Sequence, residues 1–369
     1  MRKAMATAKN LFWDKKYPVS LIQFVTNRCN ARCSFCFIDF DNVDTQKKSS
    51  EMSVEEFDRL TRNLGPLLMH VNITGGEPFL RTDLTDIIKC YFRNATLTSL
   101  LINTNGSTPQ RIGALIDSVL LEYPEKRLYF VFSLDSFAER HDRIRKIRGL
   151  FDKVMESYKI VNSYGKRTSA TFNLTVSEEN YKDICGVYET LKKDYGVKNF
   201  SPVITRDEGV YKTPAELRMD ILEAYEKLSA KMVEDTRSGA TAGFARNSFR
   251  DVVINAKSRI QYRKIADNYK NRQYRSLCPA GSIFGVVYAD GTVYPCEILD
   301  KPLGNLKEYD FDFMKLWHDK KALETKNWIK ETKCNCHWEC AWTYNILSNP
   351  KYYLPLAKNI LGLSRGGGT

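Results

Sequence analysis

Between residues 20 and 204, short runs of β-branched and aromatic residues alternate with longer amphipathic stretches. The runs fall at 20–25, 70–74, 97–103, 128–134, 169–176 and 199–204, and a helix-like segment follows each. This alternation predicts repeated βα units around a parallel sheet, with right-handed crossovers curling it toward a barrel. The first helix carries its own start signal, a capping box in which Ser53 is followed three residues later by Glu56. Six such units fall short of a closed eight-stranded barrel. The expected fold is therefore α/β, a partial (β/α)6 TIM-like barrel that stays open along one side.

From about residue 213 to residue 274 the pattern becomes helical and polar, with a break expected at Ser238, Gly239 and Ala240, and it reads as a connector. Beyond it, Asp290-Gly291 between two apolar runs predicts a β-hairpin turned by a type I′ dipeptide. The expected domains are a barrel over 17–205, a helical connector over 206–275, a small hairpin-containing domain over 276–345 and a C-terminal tail over 346–369. In the tail, Tyr352, Tyr353, Leu354, Leu356, Ile360 and Leu361 predict a helix packed on the body, peripheral contact with a membrane being the alternative. Residues 365–369 are expected to be disordered.

Composition narrows the class further. With 43% hydrophobic and 27% charged residues in 369, the chain is neither collagen-like, nor low-complexity, nor wholly disordered. No apolar run reaches the roughly 18 to 20 residues that cross a bilayer, and no apolar secretory region follows Met1-Arg2-Lys3, so a cytoplasmic location is expected. Lys plus Arg exceed Asp plus Glu by 56 to 44, a net charge of +12. The excess is dispersed and forms no basic block, so no nucleic-acid partner is expected, although the charge suits a phosphorylated substrate.

Ten cysteines in a reducing compartment point to thiolate metal ligands rather than to disulfides. Cys90 and Cys185 stand alone in helical surroundings and read as packing residues. Cys29, Cys33 and Cys36 directly follow the first strand, on the rim where parallel barrels build their active sites. Three thiolates are one too few for a closed tetrahedral zinc or a fully ligated cubane. Such a loop leaves one iron of a cluster open to an external ligand.

The CxxxCxxC spacing, with Phe35 before the last cysteine, resembles that of the radical S-adenosylmethionine enzymes. The resemblance implies a [4Fe-4S] cluster on Cys29, Cys33 and Cys36 whose fourth iron chelates the amino and carboxylate groups of S-adenosyl-L-methionine. Gly75, Gly76, Glu77 and Pro78, at the end of the second strand, are similar to the family's GGEP element, which meets the ligand's amino group. The glycines there are expected to let backbone approach the ligand without a Cβ. Asn105 closes the third strand's unit. Ser133, Asp135 and Arg145 are similar to the family's "SLD...HDxxR" stretch, and Ser133 and Arg145 are the implied partners of the ribose hydroxyls and the methionine carboxylate. Asn173 on the fifth strand is a further candidate lining residue.

The implied reaction is reductive cleavage to methionine and a 5′-deoxyadenosyl radical, which abstracts a hydrogen atom from an unidentified substrate. A small molecule, sugar, nucleotide, lipid precursor or peptide all remain open. The electron comes from an external reductant such as flavodoxin or ferredoxin.

A second set of cysteines lies toward the C-terminus. Cys278 precedes the predicted hairpin and Cys296 ends it, so the turn folds the two back toward each other, and Cys334, Cys336 and Cys340 follow. This region resembles the SPASM and twitch extensions of the same enzymes, whose opening pattern Gly291 and Cys296 fit. It has fewer cysteines than a full SPASM domain. The expectation is one auxiliary [4Fe-4S] cluster, twitch-like, on Cys278, Cys296, Cys340 and one of Cys334 or Cys336, with zinc as the competing metal. His337 beside Trp338 reads as packing. Two readings from other classes are a non-catalytic zinc or iron-sulfur module that binds nucleic acid, and an electron carrier.

Overall fold

The computed structural model describes residues 2–40, 50–243 and 249–361. From the N-terminus run α1 (Arg2–Lys9), β1 (Ser20–Thr26), α2 (Val54–Arg62), β2 (His70–Gly75), α3 (Leu84–Asn94), β3 (Ser99–Thr104), α4 (Pro109–Glu122) and β4 (Arg127–Ser133). Next come α5 (Ala138–Arg145), α6 (Leu150–Ser163), β5 (Thr168–Val176), α7 (Ile184–Lys193), β6 (Phe200–Ile204), α8 (Arg218–Ser238) and α9 (Phe249–Lys270). The remainder is β7 (Phe284–Val287), β8 (Thr292–Tyr294), β9 (Gly304–Asn305), α10 (Phe313–Trp317), α11 (Lys320–Glu331), α12 (Glu339–Leu347) and α13 (Tyr353–Ile360). All the expected strands form, and their ends shift by at most two residues. The capping box forms as well, with Glu56 N–H donating to Ser53 Oγ and Ser53 N–H donating to Glu56.

The described chain makes two compact units. The first gathers the residues up to Asn173 with Arg206–Lys212 and Ala280–Trp328. Its open sheet runs in the order β5-β4-β3-β2-β1-β7-β8-β9. β1 to β5 pair in parallel, as the crossovers require.

Side chains alternate sharply across this sheet. Val71, Ile73, Leu100, Ile102, Leu128, Phe130, Phe132, Ala170 and Phe172 are fully buried. They face the helices: Tyr158 of α6 stacks on Phe172 at 5.0 Å between centroids, and Tyr91 of α3 donates its hydroxyl to the Gln23 side chain at 2.8 Å. The alternate positions Asn72, Thr74, Asn103, Tyr129, Val131, Ser133, Thr171 and Asn173 stay half-exposed and are mostly neutral and polar. A period of two thus separates an oily back from a hydrogen-bonding front.

The hairpin near the C-terminus does not stand apart from the sheet. β7 pairs in parallel with β1, Ser20 against Phe284 and Gln23 against Val287, while β8 and β9 continue antiparallel. Its turn also differs from the expected two-residue form. Gly291 N–H donates to the Tyr288 carbonyl at 3.0 Å and Tyr288 N–H to the Thr292 carbonyl at 2.8 Å, giving a three-residue loop. Gly291 alone takes a positive φ, whereas a type I′ turn needs two such residues, and Asp290 instead uses its carboxylate to cap Thr292.

The second unit comprises Leu174–Thr205, Thr213–Pro279 and the described residues from Ile329 onward. Within it the end of β5 meets β6, where Thr205 N–H donates to the Val176 carbonyl at 3.2 Å. α8 stops at Ser238 because Gly239 enters the left-handed region, the break expected from sequence. α13 buries Leu356 and is held to α9 by Arg259 on the Asn359 carbonyl, while Leu354 and Leu361 are exposed. Among the described residues no helix is long and apolar enough to cross a membrane. The stretch 365–369 lies outside the described residues.

Candidate active site

The cysteine loop leaves β1 at Thr26 and is fixed there by charge. Glu51 accepts from Thr26 Oγ1 and from Arg28, at 2.9 Å from Nε and 3.1 Å from Nη2. Arg81, almost fully buried, binds the carbonyls of Val25 and Met52 at 3.0 and 2.9 Å and the carboxylate of Asp83. These four residues orient the first turn of the loop. No local motif marks Glu51, Arg28 or Arg81, so sequence inspection missed them.

β2 approaches the same loop through its glycines. Gly76 N–H donates to the Thr26 carbonyl at 2.9 Å and Glu77 N–H to the Arg28 carbonyl at 2.8 Å. A Cβ on Gly75 would fall closer than 3.0 Å to the Thr26 carbonyl oxygen, and one on Gly76 closer than 3.0 Å to the carbonyl oxygens of Asn27 and Arg28. Gly75 also takes a positive φ, which favours glycine. The close approach that excludes a side chain is therefore to the cysteine loop's own backbone, a different role from the ligand approach expected.

Glu77 is completely buried. Its carboxylate accepts from Thr104 Oγ1 at 2.7 Å, Asn105 N–H at 2.7 Å and Phe79 N–H at 3.1 Å. Burial raises its pKa, and those three donors work against the rise. The carboxylate thus joins the end of β2 to the end of β3. Pro78, buried, opens the short helical turn behind it. Asn105 passes the connection on: its side-chain amide donates to Asn30 at 2.8 Å, and Asn30 donates to Ser107 at 3.0 Å. Asn30 lies between the first two cysteines.

At the end of β4, Arg145 Nε donates to Asp135 Oδ2 at 2.6 Å in a buried ion pair. The guanidinium lies 5.5 Å from the centre of the Phe35 ring, and its charge works against the rise that burial gives the Cys33 thiol. Burial works against its charge, yet Asp135 and Cys33 hold it protonated more firmly than an ordinary arginine. Ser133 and Asn173 stand side by side in register on β4 and β5, on the half-exposed front of the sheet.

The three thiols share one environment. Cys36 N–H donates to the Cys33 carbonyl at 3.2 Å, and the Cys29 sulfur accepts from Ala31 N–H at 3.3 Å. Burial pushes all three pKa values up, that of Cys29 to about 12; Cys29 also feels Cys33 and Cys36, and Cys36 feels Cys33. Deprotonation in such a place needs a compensating cation, which a metal centre supplies. Beyond Cys36, Phe37 packs against Phe24 and lies under Arg206, 4.6 Å from guanidinium to ring centre, and Arg206 pairs with Glu297. Phe24 in turn stacks on Tyr288 at 4.6 Å. Three soft sulfurs on one loop, with charge and backbone fixing it from two strands, are the donor set that a cluster with one open iron requires.

The second cysteine set is distributed differently. Cys296 belongs to the first unit, and Cys278, Cys334, Cys336 and Cys340 belong to the second. His337 is buried and meets the Tyr269 ring edge-on at 5.2 Å, and Trp342 Nε1 donates to the Cys336 carbonyl at 2.8 Å. Cys90 is buried in α3 and Cys185 half-buried in α7. Among the described residues no three His, Cys, Asp or Glu side chains close on a site for a single metal ion.

Comparison with known proteins is consistent with this geometry. Residues 24–191 match the family model of the radical SAM superfamily, and residues 278–341 match that of SPASM, an iron-sulfur cluster-binding domain. The chain is 28% identical over 195 residues to Fe-coproporphyrin III synthase of Methanosarcina barkeri, covering 49% of this chain and 45% of that protein. It is 28% identical over 163 residues to GTP 3',8-cyclase of Clostridium perfringens, covering 43% and 47%. Both matches thus span less than half of the relative's length. A longer alignment, 325 residues at 25% identity and 85% of each chain, joins it to AdoMet-dependent heme synthase of Methanosarcina barkeri.

Among solved structures, anSMEcpe with bound AdoMet superposes with a TM-score of 0.61 at 18% identity, covering 94% of this chain and 99% of that one. SuiB of Streptococcus suis bound to S-adenosylmethionine gives 0.55 at 17%, covering 86% and 69%. These likenesses establish the fold. By its cysteine loop, its sheet and the two family matches, the chain carries a radical SAM domain over 24–191 and an iron-sulfur cluster-binding SPASM domain over 278–341.

Proposed function

We propose that this chain is a radical SAM enzyme that binds S-adenosyl-L-methionine beside the loop of Cys29, Cys33 and Cys36 and acts on a substrate held over the front of the sheet. When bound, the cluster and S-adenosylmethionine supply one-electron cleavage of the sulfonium and hydrogen-atom abstraction from carbon. The observation that carries the reading is the meeting of three half-buried thiols with the Arg145–Asp135 pair at the strand ends of one parallel sheet.

The residues divide the remaining work. Asp135 fixes Arg145 through Nε, so that the other guanidinium nitrogens present a carboxylate-binding edge beside Cys33. Ser133 and Asn173 offer a hydroxyl and an amide in register for the ribose hydroxyls. Glu77 holds the strand ends at fixed separation, which keeps the Gly75 and Gly76 carbonyls in place as acceptors for an ammonium group. Phe24, Phe37 and Tyr288 form an apolar wall that excludes water at the far side of the loop. The neutral front, with Asn103 donating to Asn72 at 2.9 Å, suits a substrate rich in hydrogen-bonding groups. An external one-electron donor of the flavodoxin or ferredoxin kind completes the system.

The test is electron paramagnetic resonance of the anaerobically reconstituted, reduced protein with and without S-adenosylmethionine. Binding at an open iron changes the first cluster's signal, and Cys33→Ala removes that signal and the change while the auxiliary cluster's signal stays. A wild-type cluster signal indifferent to saturating S-adenosylmethionine would argue for an electron carrier instead.

A further inference from the structure

The second unit buries a lysine that the foregoing site does not use. Lys257, on α9, is 6% exposed. Its ammonium donates to Gln261 Oε1 and, at 3.3 Å, to Thr343 Oγ1, both neutral acceptors. Gln261 in turn donates to the Glu339 carbonyl at 2.7 Å, so the pair fastens α9 to the first turn of α12. No carboxylate pairs with Lys257 among the described residues, and Cys340 lies on the same face of α12 as Thr343, three residues before it. Burial draws its pKa down to about 8 even though the Cys340 thiol works the other way.

An ammonium in such a place is costly unless an anion comes to it. Neutral side chains satisfy two of its protons and leave its charge uncompensated. The anion that chemistry offers is a thiolate at Cys340, which becomes permanent when that sulfur ligates a metal. A cluster bound by four thiolates is itself net negative and gains a further negative charge on reduction. A fixed positive charge beside one ligand stabilises the reduced form more than the oxidised form.

We propose that Lys257 is the counter-charge of an auxiliary iron-sulfur cluster ligated by Cys340, and that it raises the reduction potential of that cluster. The proposal rests on the reading of Cys340 as a ligand. Lys257 acts through the ligand and is a positioning residue, without contact to substrate.

The test is a spectroscopic redox titration of the full chain, reconstituted anaerobically, for wild type, Lys257→Met, Lys257→Arg and Cys340→Ala. In Lys257→Met the auxiliary cluster's potential should move to more negative values while that of the first cluster stays where it was, and Lys257→Arg should restore most of the shift. Loss of the auxiliary irons in Lys257→Met with their return in Lys257→Arg would support the same assignment. An unchanged potential with full iron content in Lys257→Met would overturn it. So would loss of iron in both lysine variants accompanied by a lower melting temperature of the metal-free chain, which marks a packing role, or a second metal that is silent to redox titration. A Cys340→Ala protein that keeps all its iron and both signals would remove the ligand reading itself, independently of the lysine variants.

Discussion

Arg145 and Asp135 form a buried ion pair, Nε to Oδ2 at 2.6 Å, that ties the helix after β4 to the strand end beside Cys33. Replacing Asp135 by Asn keeps the shape but leaves the guanidinium without its counter-charge in a desolvated place. Breaking such a pair costs about 3 kcal/mol. Asp135→Asn should therefore lower the melting temperature and weaken S-adenosylmethionine binding at least about tenfold, measured by equilibrium dialysis of the reconstituted protein. Unchanged affinity would show that the pair braces the fold only.

The glycines of β2 make a steric prediction. Gly76→Ala places a methyl against two backbone carbonyls of the cysteine loop, which cannot rotate away. The expected outcome is a loss of about 2 kcal/mol or more together with reduced iron content. Gly186 on α7 is the control, since a Cβ there meets nothing within 4 Å. Gly186→Ala should gain about 1 kcal/mol from helix propensity. Equal effects at both sites in thermal unfolding would contradict the packing described.

His141 gives stability a pH dependence. It is fully buried, accepts the Asp135 backbone N–H at Nδ1 (3.3 Å), and burial pulls its pKa down to about 4. The unfolded chain takes up that proton near pH 6.5 and the folded one only near pH 4. Its contribution is thus complete above about pH 6.5 and is lost as the pH falls toward 4, on the order of 3 kcal/mol in all. Urea titrations at pH 7 and pH 5 should show the drop in wild type and a smaller one in His141→Gln. Parallel losses in the two proteins would assign the acid sensitivity elsewhere.

Cys296 tests the expectation of an auxiliary cluster beside the first. Cys296→Ala should lose roughly half of about eight irons per chain while the first cluster keeps its spectrum. Simultaneous loss of both clusters would undercut the two-cluster account.

Local patterns made the strands and the first helix legible. Alternation along β4 and β5 and the Ser53–Glu56 box are written within a few residues, and the cysteine loop is a compact motif. What stayed hidden depends on distant partners. The pairing of β7 with β1 joins Phe284 to Ser20 and has no local signature, so the hairpin read as part of a separate domain. The carboxylate of Glu77 looked like a ligand contact because its partners Thr104 and Asn105 lie one βα unit away. Arg206 with Glu297, and Lys257 with Gln261 and Thr343, are likewise charge relationships that only the folded chain displays.

The decisive measurement is the yield of 5′-deoxyadenosine when the anaerobically reconstituted chain is incubated with S-adenosylmethionine and a strong one-electron reductant. The account predicts steady release from wild type and none from Cys33→Ala protein that still folds. A fully iron-loaded wild type that releases none, or a Cys33→Ala protein that releases as much, would contradict it.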